Sequence, residues 1–418
     1  MTVPKIEFLL QRTHLEAGRD QTVDLLIRII PPEIDSIIGR RPKLNLSVVL
    51  DRSGSMGGEK MERAREAASY CIDQLLPTDR VSLVTFDDAI DVLIPSQLAE
   101  NKPALKERIA HIEARNSTAL HEAWVRGGMQ VSEHLTGGAI NRVLLITDGQ
   151  ANVGLTNTDE IVSQAMGLFQ RGVSTSTIGI GEDFQEDLLM PMAQSAGGNA
   201  WHVERAEDMQ RIFSVELEGL IAQVAHTVSL GLIPSDGVRL SDLLNDFEMN
   251  ENGRYKLPNL QAGSSIEVLA QLRVPAQAAG TKRHLLDLRM GYTPQEARSA
   301  EVLKQSLEVE FVEASKLKEL PVNPEVEKAV RMLMNARARR EAKGYFDRGD
   351  YIMAKHVVSS ALSASMPLFR SAAASPDVME ERQQLEELQS SLDNRSQDRM
   401  TRKKLVYESY RRSNSKKQ

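Results

Sequence analysis

From Lys43 to about Gln223, short apolar runs alternate with helix-length amphipathic stretches, the pattern of a parallel sheet with crossover helices. Strands are expected at Leu44–Leu50, Arg80–Phe86, Arg142–Thr147, Val173–Ile180 and Asn199–Val203. Between the first two, Met61, Ala64, Ala68, Cys71 and Leu75 form the stripe of a helix packed on one sheet face, which places Cys71 in a core. On both sides of this block the period falls to two. Val23, Leu25, Ile27 and Ile29 precede it; Val228, Leu230, Leu232, then Ile266 to Val274, Leu286 to Tyr292 and Leu307 to Phe311 follow it. These are half-buried antiparallel strands joined by turn residues such as Glu251-Asn252-Gly253 and Gln261-Ala262-Gly263. Beyond Pro321 and Pro324 strand patterning stops, and Ala, Arg, Glu, Met and Leu dominate. Ala336 to Lys343, the turn Arg348-Gly349-Asp350 and then Tyr351, Ala354 and Ala361 suggest an antiparallel helix pair, and Leu385, Leu388 and Leu392 share one face of a further helix.

The expected architecture is therefore multidomain, α/β plus β plus α. A doubly wound, Rossmann-like domain at 43–223 is inserted in a discontinuous β-sandwich built from 1–42 and 224–316. A helical cap follows at 322–394, then a basic tail at 395–418, helical or disordered. From Arg395 onward there are nine Lys/Arg and two Asp/Glu, read as a solvated, partly frayed end.

Composition narrows the function. The 418 residues are 41% hydrophobic and 26% charged with a net charge of −7, a soluble globular balance that argues against wholesale nucleic-acid coating. No transmembrane run is evident, and Lys5 and Glu7 interrupt the first apolar stretch, so the mature chain is expected to start here without a secretory leader. A single cysteine rules out an intrachain disulfide framework and fits the cytoplasm, where the sequon-like Asn116-Ser117-Thr118 would go unglycosylated.

The chemistry gathers at strand ends. The run Leu44–Leu50 leads directly into Asp51-Arg52-Ser53-Gly54-Ser55-Met56-Gly57-Gly58, a carboxylate and two hydroxyls at alternate positions, where an open parallel sheet binds its ligands. Within that segment there is no lysine, so it is not a Walker-type phosphate loop. A second apolar strand ends in Asp148-Gly149, and Thr118 stands in a loop just before a helical run. Other signals are structural: Gly179-Ile180-Gly181 reads as a strand-to-helix turn, Trp201-His202-Val203-Glu204 as strand, and His121 and Trp124 as packing residues. Ser53 lacks the G-x-S-x-G elbow of a hydrolase and no motif supplies a general base, so catalysis is not expected.

In this order the residues resemble the von Willebrand factor A (VWA) domain and its metal-ion-dependent adhesion site (MIDAS). The resemblance implies that Ser53, Ser55 and Thr118 are metal ligands through their hydroxyls, and that Asp51 and Asp148 hold metal-bound waters or bind directly. Such a donor set, rich in neutral hydroxyls, leaves a small hard cation electrophilic and partly hydrated, which suits Mg²⁺, with Mn²⁺ or Ca²⁺ as substitutes. The open position would take an Asp or Glu of a partner protein. Many members carry Gly-Gly before the loop Thr; here Asn116-Ser117 follow Arg115, so Arg115 and Asn116 are expected at the partner-facing rim, Arg115 gripping the acidic residue.

The wider arrangement is similar to bacterial soluble proteins of the VWA superfamily and, distantly, to the heavy chains of inter-α-trypsin inhibitor. It implies a non-enzymatic, metal-dependent interaction or scaffold protein. It also implies that partner binding shifts the last helix of the domain, about Ala206 to Gln223, and is felt by the sandwich. The alternative is an accessory or activator subunit of an AAA+ type ATPase complex, with a signalling or defence complex as the other setting. A third reading, nucleic-acid binding through 395–418, predicts strongly salt-dependent retention.

Overall fold

A computed structural model of the chain describes residues 3–33, 41–115, 119–151, 153–295, 297, 299–370, 375–393 and 399–414. The chain opens with strands β1 (Lys5–Leu10), β2 (Leu15–Glu16) and β3 (Gln21–Ile30). It continues through β4 (Leu44–Asp51), α1 (Glu59–Gln74), β5 (Arg80–Phe86), β6 (Ile90–Leu98), α2 (Lys102–Ala110), α3 (Leu120–Ser132) and β7 (Ile140–Thr147). Next come α4 (Thr158–Gln170), β8 (Ser174–Ile180), α5 (Glu186–Ser195), β9 (Gly197–Val203) and α6 (Met209–Ile221). Strands return as β10 (Gln223–Pro234), β11 (Arg239–Leu243), β12 (Tyr255–Lys256), β13 (Leu260–Gln261), β14 (Ile266–Val274), β15 (Lys282–Pro294) and β16 (Glu301–Val312). The last part is helical: α7 (Ala314–Glu319), α8 (Pro324–Asp347), α9 (Tyr351–Phe369), α10 (Pro376–Asp393) and α11 (Arg399–Ser413). The elements form two compact units, one of Met1–Asp35, Val224–Pro294 and Ser299–Gln418, the other of Ser36–Gln223 with Gln295–Arg298.

The Ser36–Gln223 unit is built on a six-stranded sheet ordered β6-β5-β4-β7-β8-β9, parallel except for β6, which runs antiparallel at the edge beside β5. All eight residues of β4 are buried, as a central strand covered on both faces requires. Its start is fixed by Asp79, whose carboxylate accepts the Leu44 amide at 2.9 Å, the Leu76 amide at 2.6 Å and the Arg41 guanidinium at 2.5 Å. Cys71 lies in the core against this sheet, and burial, with Asp79 adding to it, pushes its thiol up to about 12, so it is an inert packing residue.

Helix α3 rests on the other face with unusual intimacy. A Cβ on Gly127 would lie 2.3 Å from Val49 Cγ2 and 3.1 Å from Ser47 Oγ, so glycine sets the distance between helix and strand. Gly127→Ala is expected to lower stability by about 1–3 kcal/mol despite its better helix propensity, because both neighbours are buried in a packed interior. Both tryptophans of the chain, Trp124 and Trp201, belong to this unit, so a urea titration followed by their fluorescence reads the effect.

The other unit holds a four-stranded sheet, β1-β3-β14-β11, and a second sheet ordered β12-β10-β15-β16-β2, with β13 also paired to β10. Apolar side chains of both meet in one core: Leu25, Ile27 and Val268 from the first, Leu230, Leu288 and Val309 from the second. The period-two positions read from the sequence point inward here. In β3, however, Leu26 on the opposite face is buried as well, because Val326, Ala329 and Leu333 of α8 cover it together with Leu244 and Leu269. Arg28 ties this layer together, reaching Glu267 at 3.0 Å and Glu325 at 2.5 Å, and Arg337 of α8 grips Asp242 at 2.5 Å.

The basic segment departs from the sequence expectation of a solvated end. Over Arg399–Ser413 it is a helix whose Leu405 and Lys403 are buried, and Arg402, Arg411 and Arg412 face Asp347, Glu380 and Glu381 at 2.7, 3.8 and 3.2 Å. The physical reason is that its positive charges are matched by acidic residues of α8 and α10, which charge counting within the segment could not register. No helix among the described residues is long and apolar enough to cross a membrane.

Candidate metal centre

Because β4 and β7 are adjacent parallel strands in register, with Leu50 opposite Ile146, the polar residues at their carboxyl ends emerge at the same height on the edge of the sheet. Asp51 is the last residue of β4 and Asp148 follows the last residue of β7, and both are fully buried. Asp51 Oδ1 accepts the Ser53 amide at 2.8 Å, turning the chain back on itself, and Asp51 Oδ2 accepts the Thr147 hydroxyl at 2.5 Å. Thr147 Oγ1 in turn accepts the Gly149 amide at 3.0 Å, so the two strand ends are locked together.

The turn that follows brings Ser53 Oγ to 3.2 Å from Ser55 Oγ, and Ser55 Oγ donates to Asp148 Oδ1 at 2.7 Å. Asp51, Ser53, Ser55 and Asp148, separated by up to 97 positions in sequence, thus form one cluster of hard oxygens. Thr118 and Asn116 lie outside the described residues, but both ends of their loop are anchored here. The Arg115 amide donates to the Arg52 carbonyl at 2.6 Å and the Ala119 amide to the Asp87 carbonyl at 2.8 Å. Arg115 itself is exposed, while Trp124 is buried and donates to Thr175 Oγ1 at 3.1 Å and His121 meets Gln164 at 2.9 Å.

Charge at the cluster is unbalanced. Arg52, next in sequence to Asp51, turns away to Asp87 at 3.1 Å and Asp91 at 2.6 Å. Burial works against ionisation of Asp87, yet the Ala89 amide and the Arg52 guanidinium hold its carboxyl below the ordinary range. The cation that does reach the cluster is Lys60 of α1, whose Nζ lies 2.6 Å from Asp148 Oδ2. Burial pushes Asp51 up to about 6; its bonds from Thr147 and Ser53 oppose the rise and the charge of Asp148 adds to it. Two buried carboxylates beside two hydroxyls are a donor set that fits a small hard cation. Among the described residues there is no cluster of three or more His, Cys, Asp or Glu, so a thiolate or imidazole cage is not formed by them.

Sequence reasoning passed over Thr147, Lys60 and the Arg52–Asp87–Asp91 group. Thr147 had a usable signal, a polar residue at the end of an apolar strand beside an aspartate; Lys60 stands only two positions beyond the segment searched for a lysine.

Residues 45–215, which hold the doubly wound sheet with these residues at its carboxyl edge, match the family model described as the von Willebrand factor type A domain. Among curated relatives, the uncharacterized protein sll0103 of Synechocystis is 26% identical over 311 residues, covering 68% of this chain and 73% of that one. Human inter-alpha-trypsin inhibitor heavy chain H4 is 28% identical over 190 residues, 44% of this chain, which spans only 20% of the heavy chain. Among solved structures, the von Willebrand factor type A protein from Catenulispora acidiphila shares the fold over 97% of this chain and 96% of its own, with a TM-score of 0.69 at 17% identity.

Proposed function

We propose that this chain is a non-enzymatic, metal-dependent protein-interaction or scaffold protein, whose VWA domain is inserted in a β-sandwich made by the flanking strands and works in the cytoplasm. Asp51, Ser53, Ser55, Asp148 and Thr118 would hold Mg²⁺, or Mn²⁺ or Ca²⁺ in its place, and the cation would supply a Lewis-acidic position for the carboxylate of a partner's Asp or Glu. Arg115 and Asn116 would contact that partner at the rim. The observation that supports this most is the convergence of Ser53, Ser55 and Asp148 oxygens through contacts of 3.2 and 2.7 Å at the sheet edge, a polar cluster with two carboxylates and one ammonium.

The chain's own residues do the positioning. Thr147 and the Ser53 amide hold Asp51 in one orientation, Ser55 orients Asp148, and the buried strands keep these groups from collapsing toward solvent.

The test is retention of partners from native cytosol, with identification by mass spectrometry. A partner held in Mg²⁺ is expected to be lost in EDTA and lost equally with Ser53→Ala/Ser55→Ala, with binding reduced at least roughly tenfold, a typical loss on removing metal-site groups. A partner indifferent to both changes would move the interaction to the flanking strands or helices.

A further inference from the structure

Lys60 occupies a position at the candidate metal centre that the donor set alone does not require. Its side chain is one-third exposed at the start of α1, yet its Nζ reaches 2.6 Å from Oδ2 of Asp148, a side chain with no exposure at all. The other oxygen of Asp148 is taken by Ser55 at 2.7 Å, so this carboxylate is fully engaged by groups of the chain itself. Gly181, the residue after β8 with φ +73°, lies beside this side chain; a Cβ there would stand 3.6 Å from Lys60 Nζ, an ordinary contact. An unpaired buried carboxylate is expensive, and a covalently attached ammonium supplies the compensation at all times.

We propose that Lys60 is a built-in competitor of the metal. Its ammonium neutralises Asp148 when no divalent cation is present and leaves that carboxylate when one binds. The inference rests on the metal-dependent reading above and adds to it a residue that sets the affinity. It has two consequences. Metal must displace a positive charge already in place, so affinity is lower than the oxygen set would otherwise give. In the metal-free protein, in turn, Asp148 stays charge-compensated and the cluster stays folded.

The test uses the full chain and Mn²⁺ as probe, with bound metal read by electron paramagnetic resonance and calorimetry, and thermal melts run in EDTA and in Mn²⁺. Lys60→Met is expected to bind Mn²⁺ about tenfold more tightly than wild type, the order of one charge–charge contact in a partly solvated setting. In EDTA its A domain should melt below wild type, and the rise on adding Mn²⁺ should be larger. Lys60→Gln, which can still donate to Asp148 but carries no charge, should gain affinity in the same direction and covers the case in which the methionine variant does not fold. Wild type and both variants binding Mn²⁺ with the same affinity would overturn the competitor role while leaving the metal centre intact. No Mn²⁺ bound by folded wild type or by either folded variant would overturn the metal reading and the competitor with it. Ser53→Ala/Ser55→Ala marks the background for that comparison.

Discussion

Replacing Glu216 by alanine is expected to destabilise the A domain by about 3–5 kcal/mol, the usual result of stripping a buried ion of its partner. Glu216 lies on α6 with a side chain 1% exposed, and it accepts from four donors on three strands. Oε1 takes Arg142 Nη1 at 2.8 Å and the Ser176 hydroxyl at 2.6 Å; Oε2 takes Asn199 Nδ2 at 2.7 Å and the Trp201 indole at 2.8 Å. In the variant, Arg142 keeps Ser174, Ser176 and the Gly197 carbonyl at 2.9, 3.1 and 3.2 Å but has no counter-charge in the interior. Urea unfolding followed by tryptophan fluorescence measures the loss, and Glu216→Gln, which keeps the shape and part of the bonding, should lose less.

The same group carries a pH signature. Burial works against its charge, but Arg142 and then Ser176, Asn199 and Trp201 outweigh it and hold the carboxyl below its ordinary 4.5. A folded-state value below the unfolded one contributes stability that is fully present above pH 4.5 and is lost as pH falls through the folded value. The stability gap between wild type and Glu216→Gln should therefore narrow as the titration is repeated below pH 4.5. This clamp also bears on the expectation that α6 shifts when a partner binds. Movement of α6 would have to break four hydrogen bonds to a buried carboxylate, so protection of its amides from hydrogen exchange is expected to be insensitive to metal unless Glu216 is replaced.

Arg339→Met should produce a loss of similar size, about 3–5 kcal/mol, in the helical layer instead. Arg339 is completely buried, donates through Nη1 to Glu381 at 2.8 Å and places Nε 3.0 Å from Glu408. Its removal leaves Glu381 with Arg412 at 3.2 Å and Glu408 facing the same interior with its main counter-charge gone. Burial already raises the Glu408 carboxyl above its ordinary value, Arg339 opposing the rise and Glu381 adding to it. Without Arg339 the Glu408 carboxyl should take up a proton more readily, so the penalty should shrink as pH falls from 7 toward the ordinary carboxylate range. Hydrogen exchange and trypsin cleavage should report loosening over 375–414 while the tryptophan signal stays unchanged. Joint replacement by Arg339→Met, Glu381→Leu and Glu408→Leu is expected to restore stability, which a pure packing defect would not allow.

These two clusters show where sequence reading runs out. The strand Leu44–Leu50 was legible because its apolar residues dominate a run short enough for a strand, and the placement of Asp51 and Asp148 at strand ends was legible because a carboxylate at the end of such a run has few structural reasons to be there. The period-two strands of the flanks were legible for the same kind of reason. Strand β6 was not: its half-exposed Ile90–Leu98, interrupted by Pro95, has the irregular pattern of an edge. Lys403 read as part of a solvated end, and nothing in the local pattern singled out Glu216 or Arg339, because the partners of those two lie on other elements and pairing across elements leaves no periodic trace. Lys60 was missed because a long side chain can serve a site from the neighbouring helix, so its position in sequence says little about where its charge ends up.

The division of the flanking unit has a consequence in time. Arg28 on β3 and its partner Glu267 on β14 are 239 positions apart, with the whole A domain between them. At ~5–20 residues per second, a ribosome delivers the second strand roughly 10–50 s after the first. All six strands of the A-domain sheet lie between Leu44 and Val203, so that sheet has every strand it needs while β3 still waits with one edge unpaired. A ribosome that stalls between Val203 and Ile266 would release a chain with a complete A-domain sheet and an apolar strand open to any other edge that passes.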